Sequence, residues 1–277
     1  MGIYEAYEQY YSTRLYDRRY PRPNGRTLAT LRRHLPAGST VIDFGAGNGR
    51  YALPLAAMGH HVVAVEPSEA GRARIAERVA EASGAERDRG GAGVAERIEL
   101  HADLSEVAPR TLAEASAVMP LFGVLGHLTY ADRTSILSTF SQAMRPGARL
   151  LGSVPNRFRR FRREQRESSV DDDGASPRVQ YRRGSGGDAL QLELTLFSPA
   201  EIKAELTAAG WRCERLTAES VLPEAAVTAR QWVGTLDAVA SSIVPSAIGY
   251  CIFFVASNSQ AAAAPAARSR TAEPANG

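Results

Sequence analysis

The stretch Val41-Ile42-Asp43-Phe44-Gly45-Ala46-Gly47-Asn48-Gly49-Arg50 constrains this chain more than any other. An apolar run that ends in an acid, followed by glycine at every second position, describes a strand entering a tight turn. Glycine lacks the Cβ that bars left-handed backbone angles and the close approach of a ligand to the main chain. The N–H groups at the start of the helix that follows favour a polar or anionic group. A second apolar run, Val62-Val63-Ala64-Val65, ends in Glu66-Pro67. An acid at such a strand end can accept hydrogen bonds from both hydroxyls of a nucleoside ribose.

Strands are expected at 40–44, 61–66, 96–101, 115–121 and 148–154. Helices at 49–58, 68–83, 105–114 and 131–144 alternate with them, and a polar loop covers 84–95. Arg145-Pro146-Gly147 stops a helix before the fifth strand, as Pro and Gly should. Alternating βαβ units imply an α/β fold: a parallel sheet with right-handed crossovers and helices on both faces. A long insertion follows at 157–197, and its last part, Leu190 to Phe197, alternates like a half-exposed strand. Ser198-Pro199-Ala200-Glu201 carries an N-cap, an N1 proline and a capping-box acid. A strand at 211–217, a second insertion at 219–247 and a last strand at 250–256 complete the pattern. Residues 1–37 read as one or two helices, and 257–277 as a disordered tail without pattern.

The identity of the nucleoside turns on one position. A dinucleotide fingerprint wants glycine three residues beyond the second one, and after Gly47 that place belongs to Arg50. The resulting G-x-G-x-G turn, with Glu66 and with His101-Ala102-Asp103-Leu104 at the third strand end, resembles the class I S-adenosylmethionine-dependent methyltransferases. The resemblance spans roughly residues 38–256. It implies a doubly wound, Rossmann-like sheet of seven strands, mostly parallel with the last antiparallel, and capping insertions. It also implies S-adenosylmethionine as cofactor. Gly45, Gly47 and Gly49 would surround its amino-acid end, Asp43 would orient the ammonium, and Glu66 would hold the ribose. Asp103 would accept from the adenine amine, with Leu104 beside it and Phe122 in the loop near the sulfonium. The competing readings are a surface-turn acid for Asp103 and a helix N-cap acid for Glu66.

Met119 to Leu128 spans the fourth strand and its loop, which the resemblance sets beside the methyl group and the acceptor. His127 is the candidate catalytic base, because a neutral imidazole can take a proton from a hydroxyl near pH 7. The alternative is a histidine that only hydrogen-bonds its own loop. The family often carries an acid early in this strand, and here only Glu114 stands nearby. No N/D-P-P-Y/F motif occurs, which argues against amino methylation of adenine or glutamine. His60 and His61 read as structural, and His101 as a candidate for the adenine pocket. No metal site is expected, and Asp171-Asp172-Asp173 reads as a solvated loop.

Two segments leave alternatives open. Asn156 to Arg166 carries six arginines with Phe158 and Phe161 on one helical face, and Asn156, Arg157 and Arg160 are candidate substrate contacts. It is read as a solvated helix, as a binder of an anionic substrate or RNA, or as a contact with an anionic membrane surface. The N-terminus holds tyrosines 4, 7, 10, 11, 16 and 20. They either pack on the sheet, or Tyr11, Tyr16 and Tyr20 close over cofactor and substrate as a helical lid over 1–37.

The net charge is +3, and Lys203 is the sole lysine among 33 basic residues, so the arginine excess says little about nucleic acid. No apolar run approaches the roughly 18 residues of a membrane helix, and the start of the chain lacks the shape of a signal peptide. Cys213 and Cys251 read as free thiols in a reducing cytoplasm. The expected activity is methyl transfer to a small-molecule acceptor at oxygen. The rivals are an RNA-modifying methyltransferase and a cofactor-binding protein without transfer. Oligomeric state is left open.

Overall fold

The computed structural model describes residues 3–87, 93–167, 169–170, 174, 176–183 and 190–259. Val41, Ile42 and Asp43 are all buried, and β1 (Thr40–Phe44) accordingly takes an interior place in the sheet. It pairs in parallel with β2 (His61–Val65) on one side and β4 (Ala117–Met119) on the other. Beyond β2 lies β3 (Ile98–His101), and beyond β4 lies β5 (Arg149–Pro155). The last strand, β10 (Cys251–Asn258), inserts antiparallel between β5 and β9 (Trp211–Ser220). The strand order is β3-β2-β1-β4-β5-β10-β9, as the α/β reading requires. The chain reverses its direction of winding between β1 and β4, which opens a crevice beyond the carboxyl ends of those strands.

Alternate residues of each strand face opposite layers. Ile42, Val63, Val118, Leu150 and Phe254 join one core with Phe140 and Trp211. Val41, Val62, Ala117, Leu151 and Phe253 join the other with Leu55 and Ile75. The covering helices are α4 (Ala52–Ala57), α5 (Glu69–Arg87), α6 (Pro109–Glu114), α8 (Tyr130–Ala143) and α10 (Pro199–Ala208). The capping box at Ser198 and Glu201 forms at the start of α10. α5 runs through 84–87, where a loop was expected, and residues 88–92 lie outside the described ones.

Three helices precede the sheet: α1 (Ile3–Ser12), α2 (Leu15–Arg19) and α3 (Gly25–His34). In the first insertion, β6 (Ser169–Val170), β7 (Arg178–Arg183) and β8 (Leu190–Thr195) form a separate antiparallel sheet, and α1 packs on β8. The arginine-rich segment is not the expected helix. Residues 157–163 form turns, and only α9 (Glu164–Glu167) is helical. Asn156 decides this: its Nδ2 donates to the carbonyls of Ala247 (2.8 Å) and Gly249 (2.7 Å), while Oδ1 accepts from the Phe158 N–H. Phe158 and Phe161 consequently do not share a face: Phe158 is 49% exposed, whereas Phe161 stacks on Tyr181.

The second insertion contributes α11 (Glu224–Ala229) and α12 (Gln231–Ile243). Ser257 and Asn258 belong to β10, and residues 260–277, most of the expected tail, lie outside the described ones, as do Asp171, Asp172 and Asp173. Among the described residues, no helix is long and apolar enough to cross a membrane, and no group of His, Cys, Asp and Glu is placed to hold a metal ion.

Candidate functional site

A cavity of about 680 Å³ opens in that crevice, walled by the ends of β1 and β2, the loop after β4, the N-terminal helices and the first insertion. A short helix, α7 (Val124–His127), belongs to the loop after β4. Gly47 has φ +60°, and a Cβ there would come within 2.8 Å of Tyr11 Oη, so both backbone angle and space demand glycine. The Gly47 N–H donates to Glu66 Oε2 at 2.7 Å, and the Ser68 N–H donates to Oε1 at 2.9 Å. Glu66 is buried, which pushes its carboxyl above the usual range while these two N–H groups pull it back. Its readings as a nucleoside contact and as an acid that organises the next helix are thus geometrically compatible. At Gly49 a Cβ would collide with Leu53; like Gly47 the residue does not line the cavity, whereas Gly45 does.

Asp43 is 2% exposed, and its Oδ2 has no hydrogen-bond partner. Burial, then the nearby charge of Glu66, pushes its carboxyl up to about 7. Across the same end of the cavity, Arg50 Nη2 donates to Glu224 Oε1 (2.8 Å) and to Tyr51 Oη (3.1 Å). Its Nε and Nη1 have no partner, although the side chain is buried. The guanidinium lies 4.4 Å from the Phe122 ring centroid, close enough for cation–π attraction. Phe122 itself sits at φ +59°, a costly angle for a side chain that bulky, with its N–H held by Ser153 Oγ at 2.8 Å. Arg50 and Glu224 were not anticipated. Arg50 figured in the sequence only as a missing glycine, and Glu224 stands 174 residues away in an insertion without a motif.

Tyr10, Tyr11, Tyr16 and Tyr20 are buried together, as the packing reading expects, and they also line the cavity. Burial pushes the Tyr11 and Tyr16 phenols well above their ordinary value. Glu8 ties this segment to the start of α5 by accepting from Ser68 Oγ (2.7 Å) and the Ala70 N–H (2.9 Å). Tyr7, absent from the expected set, lies 2.5 Å from His127 Nε2. His127 Nδ1 is 3.0 Å from the Glu193 carbonyl. A carbonyl only accepts, so Nδ1 carries the proton and Nε2 receives the Tyr7 hydroxyl. Arg178 fixes this loop to the cap sheet by donating to the carbonyls of His127 (3.2 Å) and Leu128 (2.8 Å).

Leu104 and Phe122 both line the cavity. Asp103 stands at its rim, exposed, with Oδ1 accepting from the Ser105 N–H at 2.8 Å. His101 does not line it. The imidazole turns to Glu99 at 2.7 Å, and the adenine-pocket expectation for it is corrected. Glu114 pairs with Arg110 on the surface, far from any strand-end role. Of the three candidate contacts in the arginine-rich segment, only Arg160 reaches the cavity, 4.9 Å from the Tyr250 ring centroid. Asn156 is fully buried in its carbonyl cage, and Arg157 is drawn away into an ion pair with Glu201.

A sheet of this strand order, with a glycine turn and a carboxylate at adjoining strand ends, defines an α/β nucleoside-cofactor protein. The sequence profile of a family described as "Methyltransferase domain" matches residues 16–216, and the chain belongs to that family. It is an S-adenosylmethionine-dependent methyltransferase. No curated protein matches the sequence. Among solved structures, the CcbJ methyltransferase from Streptomyces caelestis is similar at 17% identity, with 86% of this chain and 90% of that one covered and a TM-score of 0.56. The glycopeptide N-methyltransferase MtfA complexed with S-adenosyl-L-methionine is 17% identical, with 85% and 86% covered and a TM-score of 0.55. The 1,6-didemethyltoxoflavin-N1-methyltransferase from Burkholderia thailandensis is 20% identical, with 86% and 78% covered and a TM-score of 0.53. At these identities the likeness concerns the fold.

Proposed function

We propose that this methyltransferase methylates a hydroxyl of a small molecule, and that Tyr7 and His127 together accept the proton. The observation that carries this reading is the fixed tautomer of His127, whose basic nitrogen faces the phenol at the cavity wall. The residues present fit the cofactor. The unpartnered Asp43 Oδ2 suits an ammonium, and the unpartnered Arg50 Nε and Nη1 suit a carboxylate. These are the two charges of an amino-acid end. Glu66 offers its remaining lone pairs to a ribose diol, and Asp103 at the rim offers acceptors to an amine. When bound, the sulfonium supplies an electrophilic methyl group and its own leaving group.

The chain's residues align and deprotonate. Tyr20, Phe122 and Arg50 wall the amino-acid end. As the acceptor oxygen attacks, its proton passes to the Tyr7 oxygen while the Tyr7 proton passes to His127 Nε2, which leaves an imidazolium held by the Glu193 carbonyl. Alignment supplies the larger part of the acceleration, since the leaving group is already good. Arg160, beside Tyr250 and Phe161, gives the far wall a cation for an anionic group on the acceptor. A cytoplasmic setting belongs to this proposal and is supported by two free cysteines.

The named relatives include N-methyltransferases, so a nitrogen acceptor is the second reading. The test incubates the protein with methyl-labelled S-adenosylmethionine and a fractionated extract, then identifies the labelled product. Label on a small-molecule oxygen is expected. Label on nitrogen, or in RNA, overturns the proposal.

A further inference from the structure

α12 turns an apolar side outward and has a cationic groove along its flank. Trp232, Leu236, Val239 and Ile243 are 61%, 62%, 61% and 80% exposed, and their spacing sets them in one ridge along the helix. A contiguous apolar row on a surface marks a contact site. A second cavity, of about 780 Å³, runs beside the ridge between α3, α12 and strands β9 and β10. Thr235 belongs to its wall and lies three residues after Trp232 and four before Val239, so groove and ridge share a border. Arg22, Arg26, Arg33 and Arg215 line the groove, and among the described residues no Asp or Glu does. Arg230 adds a further cation at the N-cap of α12. Arg26 is held by the carbonyls of Ala218 (3.2 Å) and Ala238 (3.1 Å), whereas the other four are exposed and pair with no carboxylate among the described residues. The acids whose charges reach this groove are engaged elsewhere: Glu214 pairs with Arg149, and Asp237 and Glu219 are buried. The chain has 33 basic and 30 acidic residues, so its composition by itself does not produce a groove of one sign.

We propose that this face rests on an anionic lipid surface, with the ridge of α12 among the upper acyl chains and the groove arginines on the headgroups. A helix that lies in a membrane interface buries Trp, Leu and other apolar side chains by about 5–10 Å and carries Lys or Arg alongside them. Arginine suits the border between the two layers, because its stem can lie along apolar surface while its charge stays at headgroup level. The helix has 13 residues, far too few to span a bilayer, so the contact is peripheral. A second copy is the poorer occupant, because a two-fold interface would add the same cations and no acid to offset them. A helical protein partner needs an apolar cleft, and here the cleft is cationic while the apolar part is convex. The face is separate from the reaction site. Glu224 of α11 points to Arg50 in the first cavity, while Val227 and Thr228, a turn further on, line the groove.

Trp232 reports on the contact directly, since the chain's other tryptophan, Trp211, is buried. Vesicles of phosphatidylcholine and phosphatidylserine in equal parts, added to the full chain, should shift Trp232 emission to the blue, and brominated acyl chains should quench it. Vesicles of phosphatidylcholine alone should bind about tenfold less tightly or worse, and rising salt should weaken the anionic contact. Leu236→Glu with Ile243→Glu should abolish both signals. Arg33→Gln with Arg215→Gln should weaken binding roughly 25-fold, at about fivefold per arginine near the surface, and keeps the test open if the glutamate pair does not fold. Both pairs lie outside the first cavity and should leave affinity for S-adenosylhomocysteine unchanged. Emission that anionic vesicles do not move overturns the proposal, as does equal binding to phosphatidylcholine alone. So does vesicle binding that survives both pairs of changes, or that is lost only when Arg159, Arg162 and Arg163 are changed, which would assign it to the first insertion. A stable dimer without vesicle binding would assign the ridge to a second copy. Tighter binding of polyglutamate than of the anionic vesicles would assign the groove to an acidic protein.

Discussion

Tyr7 Oη donates to His127 Nε2 across 2.5 Å, tying the first helix of the chain to the loop after the fourth strand. Proton removal by a positioned group contributes about 10²- to 10⁴-fold, and methyl transfer should sit near the lower end. Tyr7→Phe and His127→Asn are each expected to cut kcat roughly 10²-fold. Affinity for S-adenosylhomocysteine should stay within threefold of wild type. The double variant should lose no more than either single one, because the two residues act as a unit. Steady-state kinetics with calorimetry checks this, and additive losses would show two separate roles.

Burial holds the Asp43 carboxyl at about 7, and a ligand ammonium beside Oδ2 favours the ionised form. Binding must therefore expel a proton below that pH. Affinity for S-adenosylhomocysteine should weaken by up to tenfold per pH unit below about 7 and level off above it. Calorimetry in two buffers of different ionisation enthalpy should register the released proton at pH 6. Asp43→Asn should abolish that release. An affinity that stays flat from pH 5.5 to 8.5 would remove Asp43 from the ammonium site.

Glu219 is buried beside Glu224, with Oε1 accepting from Thr27 Oγ1 at 2.8 Å. Burial first, then the Glu224 charge, holds its carboxyl well above the ordinary carboxylate range. A raised pKa means that the folded state keeps the proton longer than the unfolded chain does. This group's contribution is therefore fully present at pH values below the unfolded pKa and is lost as pH rises through the folded one. Glu219→Gln should leave the melting temperature nearly unchanged at pH 5 and raise it relative to wild type at pH 8.5. Thermal melts across that range decide it, and parallel curves for the two proteins would contradict the raised pKa.

The arginines of the first insertion should separate into two groups. Arg160 faces the cavity, while Arg163 pairs with Glu167 on the surface and Arg162 is exposed. Arg160→Gln is expected to raise KM for an anionic acceptor about tenfold, consistent with roughly 1.4 kcal/mol for a lost charged contact. Arg162→Gln with Arg163→Gln should change neither KM nor stability measurably, since exposed pairs contribute little. If the second pair of changes weakens tRNA binding with a shallower salt dependence, the segment reads RNA after all.

What the sequence determined by itself is what a short window of chain encodes. The apolar runs into Asp43 and Glu66, the glycine turn at Gly47 and the capping box at Ser198 each follow from local backbone geometry and side-chain period, and each appears where its spacing places it. The tertiary structure alone decided which distant groups meet. Tyr7 reaches His127 across 120 residues, and Arg50 reaches Glu224 across 174. No period in the sequence records either pairing, because both depend on the strand order that brings separate loops to one rim. The arginine-rich segment shows the same limit from the other side. Its composition permits a helix, but the Asn156 side chain is held by carbonyls more than 90 residues away, and those distant hydrogen bonds fix the backbone that local propensity would have wound.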